Sequence, residues 1–171
     1  MTLLVISDSH GRYENILRVL SLNKNAAALL FLGDGLRDVE RINEADIRVF
    51  CVRGNCDLFS SSLYDAPDER VLRFGEYNVM MMHGHTRGVK HSLAAAIGAA
   101  VRSGADILLY GHTHERVDEY YEKGETVFGV KLEKPLRVFN PGSIGAPRES
   151  GYSFGVIEIR NNGFLTSFGT V

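Results

Sequence analysis

Short unbroken apolar runs alternate with helical spacings along the first half of the chain. Leu3-Leu4-Val5-Ile6 runs straight into Ser7-Asp8-Ser9-His10-Gly11, the pattern of a buried strand that ends abruptly, and predicts the central strand of a parallel sheet. Tyr13 to Leu22 then sets Ile16, Leu17, Val19, Leu20 and Leu22 at helical spacing. Ala26 to Leu32 and Ile47 to Val52 are two more apolar runs, with a short helix predicted over Asp38 to Ile42. Strand, helix, strand, helix, strand is the signature of βαβ units.

After an irregular stretch at 58–68, Glu69 to Phe74 and Tyr77 to Met82 flank Gly75-Glu76 as a hairpin. Val89 to Arg102 is Ala-rich and predicted helical, with Gly104 as its cap, and Asp106 to Tyr110 is a further strand. From there the helical spacing stops. Val117 to Tyr121, Thr126 to Val130, Leu136 to Phe139, Tyr152 to Ile159 and Phe164 to Phe168 predict an antiparallel second half stacked on the first. The hairpin around Tyr120 to Val130 reads as a cap over the site or an assembly contact through Tyr120, Tyr121 and Phe128. Length and pattern predict one domain over residues 1–171.

The strand ends carry the candidate chemistry. Asp8 and His10, Asp34, Asn55, His83 and His85, and His112 and His114 each sit beside a glycine just past an apolar run. Five of the six histidines in the chain lie at these ends, and His91 alone does not. Strand ends in a parallel sheet share one edge, where ligands bind. Imidazoles and carboxylates gathered without a thiolate cluster suit Mn, Fe, Zn, Ni or a similar divalent ion. Asp8, His10, Asp34, Asn55, His83, His112 and His114 are too many ligands for one site with an open position. They predict two ions, with Asp34 as the shared bridge. Met80-Met81-Met82 reads as core strand, and Cys56 as a small residue packed behind the site.

Composition narrows the setting. A net charge of −2 provides no basic footprint for nucleic acid, which weighs against a nuclease. Two cysteines, Cys51 and Cys56, make no disulfide framework and fit a reducing compartment. No basic leader or bilayer-length apolar stretch is present, so the expectation is a cytoplasmic protein with no membrane partner.

Asp-x-His, Gly-Asp, Gly-Asn-x-Asp, His-Gly-His and Gly-His-x-His occur here in that order. Together they resemble the calcineurin-like metallophosphoesterase superfamily, and within it the small YfcE-type phosphodiesterases, which share Gly54-Asn55-Cys56-Asp57 and Asn140-Pro141-Gly142-Ser143. The resemblance implies an α/β fold, a four-layer αββα sandwich of two mixed sheets flanked by helices. It implies one metal on Asp8, His10, Asp34 and His114, and the other on Asp34, Asn55, His83 and His112, with Mn²⁺ first and Zn, Fe, Ni or Mg as alternates. It further implies hydrolysis of a small phosphate ester, a diester first, by a hydroxide bridging the ions. Many superfamily members carry a histidine where Cys56 stands, the proposed acid for the leaving group. Its absence turns attention to His85 as a substrate-contacting imidazole and to Asp57 as a carboxylate that orients an imidazole, beside Asp34 and Asn55 in the catalytic set. Arg148 reads as a surface charge near the rim, and substrate choice as a property of residues 58–68 and 120–134. The same fold also serves as a scaffold in the retromer subunit, whose metal site is degraded. That reading stands as the alternative, and homo-oligomerisation stays open.

Overall fold

The computed structural model describes residues 1–43, 46–57, 66–148 and 151–171. The elements in chain order are β1 (Thr2–Ile6), α1 (Tyr13–Leu22), β2 (Ala28–Phe31), α2 (Leu36–Val39), β3 (Arg48–Cys51), β4 (Glu69–Phe74) and β5 (Tyr77–Met82). They continue with α3 (Ala94–Ser103), β6 (Ile107–Tyr110), β7 (Arg116–Tyr121), β8 (Thr126–Val127), β9 (Val130–Lys131), β10 (Leu136–Pro141), β11 (Ser153–Arg160) and β12 (Gly163–Thr170). Two five-stranded mixed sheets result, in the orders β12-β11-β1-β2-β3 and β4-β5-β6-β10-β7, with β8 and β9 as a separate ribbon.

Side-chain alternation along the strands builds the layers. Leu3, Val5, Leu30 and Leu32 face Val79, Met81, Ile107, Leu109 and Phe139 in the core between the sheets. The residues of opposite parity, Leu4, Ile6, Leu29 and Phe31, turn outward onto Ile16 and Val19 of α1 and onto α2. Met80, Met82, Leu108 and Tyr110 likewise meet Ala96, Ile97 and Ala100 of α3. This is the αββα sandwich. Because β1 and β2 are buried on both faces, they read as continuous apolar runs and not as alternations. Each fully buried Leu or Ile contributes about 1.5–3 kcal/mol over its exposed state.

Several expectations need correction. The second half is not one antiparallel sheet: β10 pairs parallel with β6, and β11–β12 joins the first sheet antiparallel to β1. Local alternation marks a strand but does not encode its partner. The second helix is Leu36–Val39, earlier than Asp38 to Ile42, because Asp57 accepts its first N–H at Leu36. α3 begins at Ala94 and not at Val89, since Gly84 and Gly88 adopt left-handed φ around a 3-10 turn. Thr126 to Val130 is bent at Phe128 and Gly129, both at positive φ, into the β8–β9 ribbon. That ribbon does not cap the site. Tyr121 pairs with Leu136 while Arg116 pairs with Pro141, so β7 leads away from the site edge, and Val127 and Leu132 pack on the α3 layer. Residues 120–134 therefore do not line the site. Of the expected rim at 58–68, positions 58–65 lie outside the described residues.

Candidate metal centre

β1, β2 and β3 run parallel in one sheet, and β5, β6 and β10 do so in the other. Their carboxyl ends bring all seven predicted ligands to one edge. Asp8 Oδ1 lies 3.0 Å from His114 Nε2, 3.8 Å from His10 Nε2 and 3.9 Å from His83 Nε2. Asp34 Oδ2 lies 3.4 Å from His83 Nε2 and 3.9 Å from His10 Nε2. Asn55 Oδ1 is 3.2 Å from His83 Nε2, and the His83 ring stands 4.9 Å from that of His112. Donor atoms of Asp8, His10 and His114 fall within 4.8 Å of one another, as do those of Asp34, His83 and His112, and those of His10, Asp34 and Cys56.

The turns needed to aim these groups are strained. Asp8, His10, Asp34, His112 and His114 all have φ between 45° and 67°, and among the described residues only Phe128 joins them as a non-glycine at positive φ. That region suits Asp and His better than most residues, yet it still costs free energy relative to glycine.

The donors converge on one another at the strand ends. Asp8 is fully buried, and its Oδ1 has no hydrogen-bond partner although ring nitrogens surround it. His83 Nδ1 is 2.7 Å from the Leu32 carbonyl and His114 Nδ1 is 2.5 Å from that of Ala146. Those carbonyls hold the proton at Nδ1 and leave each Nε2 as the ligating atom. His10 Nε2 and His114 Nε2 face each other at 3.4 Å. Ring nitrogens and carboxylate oxygens converging at 3.0–3.9 Å fit divalent cations.

The protonation shifts agree with that geometry. Burial alone would raise Asp34, but the hydrogen bond and charge of His83 and the Cys56 N–H hold it well below the usual carboxylate range. His83 is raised, burial being outweighed by Asp34 and Asp8, and His114 is raised by its contact with Asp8. His112 is lowered to about 4 by burial and then by the charges of His83 and Lys90. His85, 5.3 Å from the His83 ring, is lowered by burial and the His83 charge, and its Nδ1 has no partner.

Asp57 holds the loops together. Its Oδ2 accepts N–H from Asp34 and Gly54, and its Oδ1 from Gly35 and Leu36, at 2.8–3.0 Å. We therefore give it a positioning role through backbone. Asp34 and Gly54 are pressed so close that a Cβ on Gly54 would lie 2.1 Å from Asp34 Oδ1. Cys56 also departs from expectation. It is exposed, its N–H donates to Asp34 Oδ1 at 2.7 Å, and burial and Asp34 push its thiol up to about 11. A cleft of about 410 Å³ opens here, lined by His10, Gly11, Asp34, Gly35, Arg37, Asp38, Cys56 and Asp57.

Sequence reasoning passed over some positioning residues. Asp38 Oδ2 accepts from Ser9 Oγ at 2.6 Å and from the Gly11 N–H at 2.9 Å. Asn140 donates to the Gly111 carbonyl at 3.1 Å, and Ser143 Oγ donates to the Asp8 carbonyl at 2.8 Å. The Asn-Pro-Gly-Ser segment is thus a stitch between two ligand loops, which its motif hinted at and its turn chemistry hid. Arg148 pairs with Glu115 at 3.3 Å, in keeping with a surface charge.

The sequence profile of the calcineurin-like phosphoesterase superfamily domain matches residues 1–162. The chain belongs to that superfamily. Among its members, the probable metallophosphoesterase YsnB of Bacillus subtilis is 29% identical over 169 residues, covering 98% of this chain and 90% of YsnB. Phosphodiesterase YfcE of Escherichia coli K12 is 30% identical over 181 aligned positions, covering 92% and 88%. A solved structure from Streptococcus pneumoniae TIGR4, described as a conserved uncharacterized protein and predicted phosphoesterase, superposes with a TM-score of 0.77 at 26% identity, covering 99% and 88%. Vps29 of Cryptosporidium parvum shares the superfamily fold at a TM-score of 0.70 and 19% identity, covering 98% and 96%. Among the described residues, no helix is long and apolar enough to cross a membrane.

Proposed function

We propose that the protein is a metal-dependent phosphodiesterase that acts on a small phosphate ester with two divalent ions, Mn²⁺ first and Zn²⁺ as the main alternate. The observation that carries the reading is Asp8 Oδ1, a fully buried oxygen without a hydrogen-bond partner among three imidazole nitrogens. One ion is assigned to Asp8, His10, Asp34 and His114, the other to Asp34, Asn55, His83 and His112. Bound there, the ions would supply a lowered water pKa and charge stabilisation for phosphoryl oxygens. The chain's own contribution is preorganisation. The Leu32 and Ala146 carbonyls orient His83 and His114, Asp57 locks the Asp34 and Gly54 loops, and the 410 Å³ cleft admits the ester arm. His85 is assigned to the substrate, since its Nδ1 is unpartnered and the two ions leave it unused. With a thiol where a histidine acid would stand, aryl and other good leaving groups are favoured. An exposed Cys56 suits the reducing cytoplasm.

The test is hydrolysis of an aryl phosphodiester and the matching monoester by metal-stripped protein reconstituted with Mn²⁺. Turnover is expected to require the metal, to favour the diester and to fall about 10²–10³-fold in Asp34→Asn. Full metal loading with neither ester cleaved would overturn the catalytic reading. Failure to bind metal would favour the scaffold reading, which the likeness to Vps29 in fold keeps in view.

A further inference from the structure

The cleft of about 410 Å³ beside the proposed metal centre has one permanent cation among the residues that line it, Arg37. The carboxylates of the same wall are committed elsewhere. Asp57 accepts the N–H groups of Asp34, Gly35, Leu36 and Gly54. Asp38 accepts from Ser9 Oγ and the Gly11 N–H, and Asp34 Oδ1 accepts from the Cys56 N–H. All three carboxylates are buried, whereas Arg37 is exposed. The other exposed side chains of the lining, His10 and Cys56, carry no fixed charge.

The fold fixes the backbone that carries Arg37. α2 buries Leu36 and Val39 in the core beneath α1. Asp38 ties the same helix to the Ser9–Gly11 loop, and Gly35 packs so closely on Ser9 that a Cβ there would have no room. With Leu36 and Asp38 both turned inward, Arg37 between them faces the open cleft, three residues after Asp34. The N–H groups of Gly11, Gly35 and Leu36 are already taken by Asp38 and Asp57. An anion reaching this wall therefore meets the Arg37 side chain and not the start of the helix.

We propose that Arg37 is a specificity residue that selects phosphodiesters whose ester arm carries a second anionic group, a carboxylate or a phosphate. The inference deepens the phosphoesterase reading and rests on it for the place of the scissile phosphate at the metal centre. The arm then enters the cleft, where the guanidinium fork meets its anion with two parallel N–H bonds. The diester preference is kept, because the added charge sits on the arm and not on the scissile phosphate. Three probes test this: the monomethyl esters of 4-carboxybenzyl-, 4-phosphonobenzyl- and 4-carbamoylbenzylphosphonic acid. A P–C bond replaces the ester bond to the arm, so binding is read apart from turnover. The amide matches the carboxylate in shape and lacks its charge. Kd values are measured by calorimetry on Mn²⁺-reconstituted wild type, on the neutral variants Arg37→Gln and Arg37→Met, and on Arg37→Lys, with metal content and Tm checked for each.

We expect wild type to bind an anionic probe about tenfold more tightly than the amide. Arg37→Gln and Arg37→Met should remove that preference, and Arg37→Lys should keep part of it, since lysine supplies the charge without the fork. The anionic probe that loses more in the neutral variants identifies the group on the arm. No preference in wild type, with or without metal, overturns the inference, as does a preference that survives in both neutral variants. If the preference depends on Arg37 but neither aryl ester is hydrolysed, Arg37 keeps its role and the hydrolytic reading falls.

Discussion

The two ends of the strands solve one problem in different ways. At the site edge the chain turns through left-handed φ on Asp8, His10, Asp34, His112 and His114. At turns away from the ligand loops it uses glycine, as at Gly75, Gly104 and Gly163. Left-handed backbone costs most L residues about 1–2 kcal/mol, and glycine avoids that. The strained positions of the site edge carry carboxylates and imidazoles, groups that glycine cannot replace as candidate ligands. Strain concentrated on the candidate ligands is therefore a functional signature, and one that composition does not reveal.

The largest effect that would break this comparison is at Asp57. Its four backbone hydrogen bonds stabilise the Asp34, Gly54 and α2 loops. Asp57→Ala should lower stability by about 3 kcal/mol, since buried N–H groups lose their acceptors, and weaken metal binding about 10–100-fold. Chemical denaturation and metal titration measure the two losses. If Asp57→Ala left both unchanged, the loops would not depend on this staple.

A pH titration of metal affinity comes next. An imidazole must be neutral to ligate, and the carboxylates hold His83 above its ordinary 6.5 and raise His114 as well. Metal affinity should therefore rise with pH through that raised range, with proton release detectable by calorimetry in two buffers. In the metal-free protein the sign is opposite for stability. The His83 contribution is full below its ordinary 6.5 and is lost as pH rises through the raised value, while the Asp34 contribution, with its depressed pKa, is lost on strong acidification.

The smallest effects sharpen the contrast as a matched pair. Gly75, at φ +60°, has only ordinary contact room for a Cβ, 3.6 Å from Ile159. Gly75→Ala should cost about 1 kcal/mol and leave metal binding intact. His10→Gly relieves an exposed residue at φ 45°. It should stabilise the metal-free fold by about 0.5 kcal/mol while lowering metal affinity. Denaturation midpoints of the two variants moving in the same direction would contradict the strain account.

Much of this was legible in one dimension. Continuous apolar runs named β1 and β2 because doubly covered strands need both faces apolar, and the hairpin signal at Gly75-Glu76 named β5. The ligands followed because each run ends beside a glycine with Asp, Asn or His. The ordered motifs then pointed to the superfamily. Strand partners were not legible, since β10 and β11 look alike locally yet join different sheets. Nor was the exposure of Cys56 or the staple at Asp57. Periodicity and turn chemistry are properties of neighbours along the chain, and the sequence expresses them directly. Which oxygen is left unpartnered depends on groups far apart in sequence, and packing alone brings those together.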